Sequence, residues 1–269
     1  MPRFKLTIEY SGTRYSGWQI QKNARTVQGE IDKAVSAVTG RKDFELYGSG
    51  RTDAGVHALG QVAHLDVSTT LPPETLRQRI NDELPADINI LDARVVPHRF
   101  HARHDAVARA YLYQLAMRRT AFAKPYVWWL REPLDRERMR RAAGEFVGMR
   151  DFKSFAQQDD GVEEMPRSTL VLVDRLEIAE DGELVLVRIE GSHFLWKMVR
   201  RIVGVLVEVG RGDMSPQDAA GFLTASSDAP ARLTAPSSGL FLDRVYYAGE
   251  PRVAEIRPAT PLRASKQSG

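Results

Sequence analysis

The chain has 269 residues, a net charge of +3 at neutral pH, 43% hydrophobic and 27% charged residues, and no cysteine. That length supports one large domain or two modest ones with a sizeable buried core. The missing cysteine excludes disulfides, thiolate nucleophiles, iron–sulfur clusters and thiolate zinc sites, and no apolar run approaches the roughly 18 residues of a membrane span.

The opening MPRFKLTIEY enters an alternating strand pattern at Phe4 to Tyr10 and carries no signal-peptide core, so a cytoplasmic protein is expected. Ser11-Gly12-Thr13 reads as a turn. Thr26 can cap a helix whose stripe is Val27, Ile31, Val35 and Val38, ended by Gly40. A short strand over Phe44 to Tyr47 leads into the glycine-bearing loop GSGRTDAGVHALGQ, then a strand from Gln61 to Val67. Pro72-Pro73 opens a helix over Glu74 to Leu84, and Ile88 to Val96 closes the set as a strand. The order β-α-β-β-α-β is the split ferredoxin-like pattern.

A second half begins at the strand Val107 to Met117. It continues with a helix over Arg136 to Val147 and the strands Leu170 to Ile178 and Glu183 to Glu190, joined at Glu180-Asp181-Gly182. Helices over Phe194 to Val209 and Pro216 to Thr224 precede a last strand, Leu240 to Tyr247. The class is therefore α+β, in two ferredoxin-like halves with antiparallel sheets. The division is 1–105, 106–248 and a loose Pro-, Arg- and Ser-rich tail over 249–269. Gln157 to Arg167 is polar, bounded by Gly and Pro, and reads as a mobile loop.

The basic residues are mostly Arg, which grips phosphate bidentately; codon usage in a GC-rich genome accounts for the same bias. The loop from Gly48 begins like a phosphate-binding turn but has Asp53 in the third glycine slot, and a carboxylate there repels phosphate. One reading is an ordinary tight turn. The other lets a nucleic-acid backbone or base approach Asp53, with Arg51 keeping the acid ionised or binding a phosphate. On the helix FLWKMVRRIVGVLVEVG, Lys197, Arg201, Gly204 and Glu208 lie opposite a broad apolar arc. Arg200 falls at the border. It is either a snorkelling surface residue or a partner for a carboxylate such as Asp53.

In PHRFHARHDAVARAYLYQL, the histidines His98, His101 and His104 invite a metal site. The spacing in an extended segment turns His101 away from the other two, so no metal is expected. Arg99 and Arg103 suit a backbone-binding edge. Arg109, Tyr111 and Tyr113 share one strand face, the tyrosines being either core aromatics or a surface for stacking bases.

These stretches resemble the TruA-type tRNA pseudouridine synthases. The matching residues are IEYSGTRYSGWQIQ with TVQGEIDKAV, GSGRTDAGVHALGQVAH, FHAR…DAVARAYLY, MVRRIVG and SGLFL, in the family's order across nearly the whole chain. The resemblance implies isomerisation of uridine to pseudouridine at positions 38, 39 and 40 of the tRNA anticodon arm. It also implies a pseudouridine synthase fold in which the two sheets join centrally with the cleft between the halves. It carries the family's aspartate onto Asp53, its base-packing tyrosine onto Tyr111 and the aspartate's arginine onto Arg200, with Arg51 beside the acid. Arg25, Arg99, Arg103 and Arg109 are the candidate backbone grips, with Tyr111 against the base. No cofactor is implied, and a homodimer is. The chain departs from the family at His104-Asp105, where Phe-Ser is common. Two other classes compete: a non-catalytic RNA-binding protein on the same scaffold, and a glycosidase-like hydrolase. The hydrolase requires a second carboxylate near Asp53, and Asp66 stands well past the turn.

Overall fold

The computed structural model describes residues 1–157 and 168–262. In chain order these form β1 (Arg3–Tyr10), α1 (Val27–Thr39), β2 (Glu45–Gly48), β3 (His57–Asp66), α2 (Pro73–Glu83), β4 (Ile88–Val96) and β5 (Ala106–Ala116). They continue with β6 (Trp128–Trp129), α3 (Arg136–Glu145), β7 (Gly148–Asp151), β8 (Leu170–Asp181), β9 (Leu184–Gly191), α4 (Met198–Arg211), α5 (Pro216–Gly221), α6 (Ala229–Arg232) and β10 (Leu240–Tyr247). The chain divides into two compact units. Unit 1 is Met1–Arg109 with Phe241–Arg252, and unit 2 is Ala110–Leu240 with Val253–Gly269.

Unit 1 has the ferredoxin-like arrangement that its element order predicts. β1 and β3 are central and antiparallel; β4 lies on the free edge of β1 and β2 on that of β3, both antiparallel. On β1, Phe4, Leu6, Ile8 and Tyr10 are all buried, the period-2 face the sequence showed. The Thr26 hydroxyl accepts the Gly29 amide at 3.2 Å, and Gly40 closes α1 in the left-handed region at φ 66°. Val27, Ile31, Ala34 and Val35 form its buried stripe, and Val38 is only half-buried. The expected division at residue 105 leaves the closing strand in the second half. Its residues from Phe241 pack instead with unit 1, because Phe241 and Leu242 pair in parallel with His57 and Ala58 of β3.

In unit 2 the strand order is β5-β9-β8-β7, with the two-residue β6 parallel to the end of β5. β8 and β9 form the expected hairpin, closed at the pair Asp181 and Leu184 with Gly182 at φ 56°. β9 is buried along its whole length, including Arg188 and Glu190, whose side chains lie 3.5 Å apart. The segment after β10 contributes to the burial of this polar pair. The Arg188 guanidinium donates to the Val253 carbonyl at 2.6 Å. The buried Gln114 amide of β5 accepts from the Ala259 and Thr260 amides at 2.7 and 3.3 Å and donates to the Thr260 hydroxyl at 2.9 Å. The expectation of a loose tail from residue 249 therefore fails for Val253 to Leu262. These residues have no helix or strand, yet they cover the polar face of β5 and β9.

Helix α4 begins at Met198, four residues later than the periodicity suggests, because Lys197 sits at φ 61° and cannot extend a right-handed turn upstream. Its expected polar side is not solvent-facing. Arg201 is buried and donates to the Ala156 carbonyl at 2.5 Å. Gly204 lies so close to Leu233 that a Cβ would stand 1.7 Å from the Leu233 carbonyl oxygen. Only a glycine lets the chain after α6 cross the helix there.

Candidate active site

The loop carrying Asp53 runs from the end of β2 at Gly48 to the start of β3 at His57. Its first arm is fastened to β3. The Ser49 amide donates to the Val62 carbonyl at 2.7 Å, and its hydroxyl donates to the Gln61 side-chain oxygen at 2.7 Å. The Gln61 amide nitrogen donates in turn to the Gly50 carbonyl at 3.0 Å, and Gln61 is fully buried. The turn itself is closed by the Val56 amide on the Asp53 carbonyl at 3.1 Å, with Gly55 at φ 77°.

The second clamp comes from residues 10 to 18. The Trp18 amide donates to the Thr52 carbonyl at 3.1 Å, and the Gly55 amide to the Tyr15 carbonyl at 3.3 Å. The Tyr10 and Thr52 hydroxyls are 2.7 Å apart in a buried site. The Gly12 amide donates to Nδ1 of the buried His57, whose ring stacks on Phe241 at 4.7 Å. Gly17 has φ +99°, and a Cβ there would meet the Thr52 carbonyl oxygen at 2.5 Å. IEYSGTRYSGW and GSGRTDAGVH are thus one object in space: the first stretch is the mould in which the second is held. Asp53 is half-buried on this fixed backbone, and Arg51 is exposed.

The other unit 1 candidates divide by what they touch. Arg99 and Arg103 are exposed. Arg25 is also exposed, with its guanidinium 4.9 Å from the Tyr15 ring and 3.5 Å from Glu30. Arg109 is half-buried and donates to two carbonyls, Ser49 at 2.9 Å and Arg103 at 3.0 Å. It braces the Asp53 loop against the basic edge.

The histidines need a correction. Residues 98 to 105 turn rather than extend, with the Asp105 amide on the His101 carbonyl at 3.0 Å, and this brings the His101 and His104 rings to 4.2 Å. The third ring is His64 of β3, 4.8 Å from His101, not His98. Burial, and then the charges of Arg3 and His101, push His64 down to about 4, and its Nδ1 accepts the Ala102 amide at 3.2 Å. Among the described residues no group of three or more His, Cys, Asp or Glu side chains is placed to hold a metal ion. Asp66, the carboxylate weighed above as a second catalytic acid, ends β3 and is held by Arg3 through two bonds of 2.7 and 2.5 Å. Nine residues of strand from His57 to Asp66 amount to roughly 30 Å, far beyond the separation a hydrolytic pair tolerates.

Unit 2 holds Tyr111 and Arg200. Tyr111 is half-buried, with its ring edge-to-face with Phe194 at 5.2 Å. Tyr113, two residues on, is fully buried; its hydroxyl donates to the Pro236 carbonyl at 2.7 Å, and burial raises its pKa. Tyr113 is therefore a core aromatic, and Tyr111 is the less buried of the two. Arg200 is half-buried, and its Nε donates to the Ala235 carbonyl at 2.7 Å while the Ala235 amide returns to the Arg200 carbonyl at 3.1 Å. The loop read over Gln157 to Arg167 lies, apart from Gln157, outside the described residues.

Sequence reasoning passed over Thr52, Gln61, His57 and Phe194. Polar residues inside an apolar strand pattern, as Gln61 is in GQVAHLDV, were the available signal.

A family model described as tRNA pseudouridine synthase matches residues 6–105 and 142–248. The tRNA pseudouridine synthase A of Geotalea uraniireducens (strain Rf4) is 41% identical over 249 residues, covering 92% of this chain and 100% of its own length. Those of Sinorhizobium fredii (strain NBRC 101917 / NGR234) and Nitrobacter winogradskyi (strain ATCC 25391 / DSM 10237 / CIP 104748 / NCIMB 11846 / Nb-255) are 40% and 41% identical over 252 residues. They cover 92% and 93% of this chain and 100% and 97% of their own lengths. The chain belongs to the tRNA pseudouridine synthase family, the isomerases that turn uridine into pseudouridine within tRNA.

Proposed function

We propose that Asp53 is the catalytic residue of this isomerase and that its targets are the uridines at positions 38, 39 and 40 of the tRNA anticodon arm, modified in the cytoplasm by a homodimer without a cofactor. The reaction breaks the N1–C1′ bond, rotates uracil and joins C5 to C1′. An ionised Asp53 either adds to C1′ or takes the C2′ proton; both routes need the free carboxylate. Arg200 is assigned as the guanidinium partner of that carboxylate, and Arg51 takes a neighbouring phosphate. Tyr111 packs on the extruded base, and its hydroxyl helps remove the C5 proton by relay while N1 takes one up, so that no net proton is gained or lost. Arg25, Arg99 and Arg103 grip the backbone on either side. Arg109 serves the same site by fixing the loop.

The observation that carries this reading is the double clamp on the Asp53 loop. A simple hairpin turn needs no buried Gln61 on one side and no Tyr10–Trp18 mould on the other. Preorganisation of this kind is what a displacement at a single sugar carbon requires.

The test is turnover of an unmodified tRNA transcript, with pseudouridine mapped by carbodiimide labelling. The native chain is expected to label the anticodon arm. Asp53→Asn is expected to bind tRNA within about threefold of the native protein and to form no product. Retained turnover in Asp53→Asn rejects the assignment, and release of free uracil by the native chain indicates hydrolysis instead.

A further inference from the structure

The family match skips residues 106–141, and this stretch contains a basic, aromatic surface in unit 2 that the reaction above does not use. Arg119, Phe122, Lys124, Trp129 and Arg131 are all exposed, Phe122 at 95%. Two guanidinium groups lie against the Trp129 ring, Arg131 at 5.4 Å and Arg119 at 6.0 Å from its centre. The acid nearest in sequence, Glu132, is engaged by Arg211 at 3.2 Å, which leaves the cationic character of the surface intact.

This surface is built rather than loose. The Gln114 amide nitrogen donates to the Tyr126 carbonyl at 2.9 Å, from the same buried side chain that holds Thr260. The Leu130 amide donates to the Ala116 carbonyl at 3.0 Å, the Ala123 amide to the Thr120 hydroxyl at 3.2 Å and the Tyr126 amide to the Ala123 carbonyl at 2.8 Å. Ala116 pairs with Trp129 five residues along β5 from Tyr111, roughly 17 Å at strand rise. One nucleotide does not reach from a base on Tyr111 to Trp129; a longer RNA does.

We propose that Arg119, Trp129 and Arg131, with Phe122 and Lys124 beside them, form a second RNA-contacting surface that holds the body of the tRNA beyond its anticodon arm. The guanidinium groups take phosphates, and the Trp129 and Phe122 rings offer faces to unpaired bases. The proposal rests on tRNA being the substrate. It supplies affinity and not chemistry, so it belongs in KM and Kd and leaves kcat alone.

The test compares two RNAs, a full-length tRNA transcript and its isolated anticodon arm, on the native chain, on Arg119→Ser/Arg131→Ser and on Trp129→Leu. Thermal melting is run first to show that each variant folds. With full-length tRNA the double variant is expected to raise KM and Kd about 5- to 20-fold at unchanged kcat. The slope of log K against log salt is expected to become shallower by about 1.5 to 2, one phosphate per arginine. With the isolated arm the constants of both variants are expected within about twofold of the native values. Full-length tRNA binding that is unchanged overturns the proposal, and so does equal weakening with both RNAs, which places the contact on the arm itself. A native chain that modifies neither RNA would fault the parent reading instead, so the two failures are distinct.

Discussion

The Tyr10 hydroxyl stands 2.7 Å from that of Thr52, in a buried site one residue before Asp53. The central strand β1 thereby holds the loop that carries the acid. Thr52→Val keeps the shape and removes this bond. We expect a stability loss of about 1 kcal/mol, the ordinary net value of a buried hydrogen bond. The rate of the chemical step should fall by more than that loss implies, with KM for tRNA little changed. Denaturant melts and single-turnover kinetics measure the two separately. An unchanged single-turnover rate would show that the hydroxyl pair serves only the fold.

Gly17→Ala tests the other half of the clamp. An alanine there suffers both a positive φ and a backbone oxygen at 2.5 Å. The expected cost is about 2–4 kcal/mol, together with loss of turnover. Gly40→Ala is the control. Its φ is also positive, but its Cβ would meet nothing within 4 Å, so about 1 kcal/mol and full activity are expected. Equal effects of the two substitutions would contradict the mould.

Asp32 on α1 provides a pH test. Burial raises its carboxyl to about 6, from 3.8, and its Oδ1 is buried without a hydrogen-bond partner in the structure. A raised acid contributes its stability below the unfolded value and loses it as pH rises through the folded one. Ionised at pH 7.5, Asp32 therefore works against the fold. Asp32→Asn is expected to stabilise by ~1–2 kcal/mol at pH 7.5, after allowance for partial screening, and by nothing near pH 4. Melting temperatures across this window decide the matter; a gain that does not vary with pH would point to packing instead.

Gln114→Leu removes the amide that holds Ala259, Thr260 and Tyr126. Its partners remain partly buried without it, so a loss of about 2–3 kcal/mol is expected. The C-terminal segment should come free, with tryptic cleavage after Arg252 several-fold faster than in the native chain. Mass spectrometry of the fragments reads this directly, and unchanged cleavage would mean that Arg188 alone suffices to hold the segment.

What the sequence disclosed and what it hid follow one physical division. The Thr26 cap, the Gly40 stop, the β1 face and the β8–β9 hairpin depend on neighbours in the chain, and they formed as read. Arg201 did not: a helical wheel places it opposite the apolar arc, but burial on that side is decided by residues 156 and 233, which the wheel does not contain. The same holds for Gly204. His101 and His104 came together because Asp105 turns the chain back on His101, a tertiary-scale bend that a strand-like spacing conceals. Asp53 was visible as a misplaced charge in a glycine loop. Gln61, which fixes that loop, leaves no periodicity, and its one trace is a polar residue set inside an apolar strand pattern.

The half that bears Asp53 is stitched from both ends of the chain. Its edge at His57 is completed by Phe241 and Leu242. A ribosome adding roughly 5–20 residues per second takes on the order of ten seconds to pass from Arg109 to Phe241. During that interval the nascent protein owns the acid but not the strand that finishes its cradle. Maturation of the active centre is therefore an event of release and not of early synthesis, and a fragment ending at Arg109 would carry the motif without the enzyme.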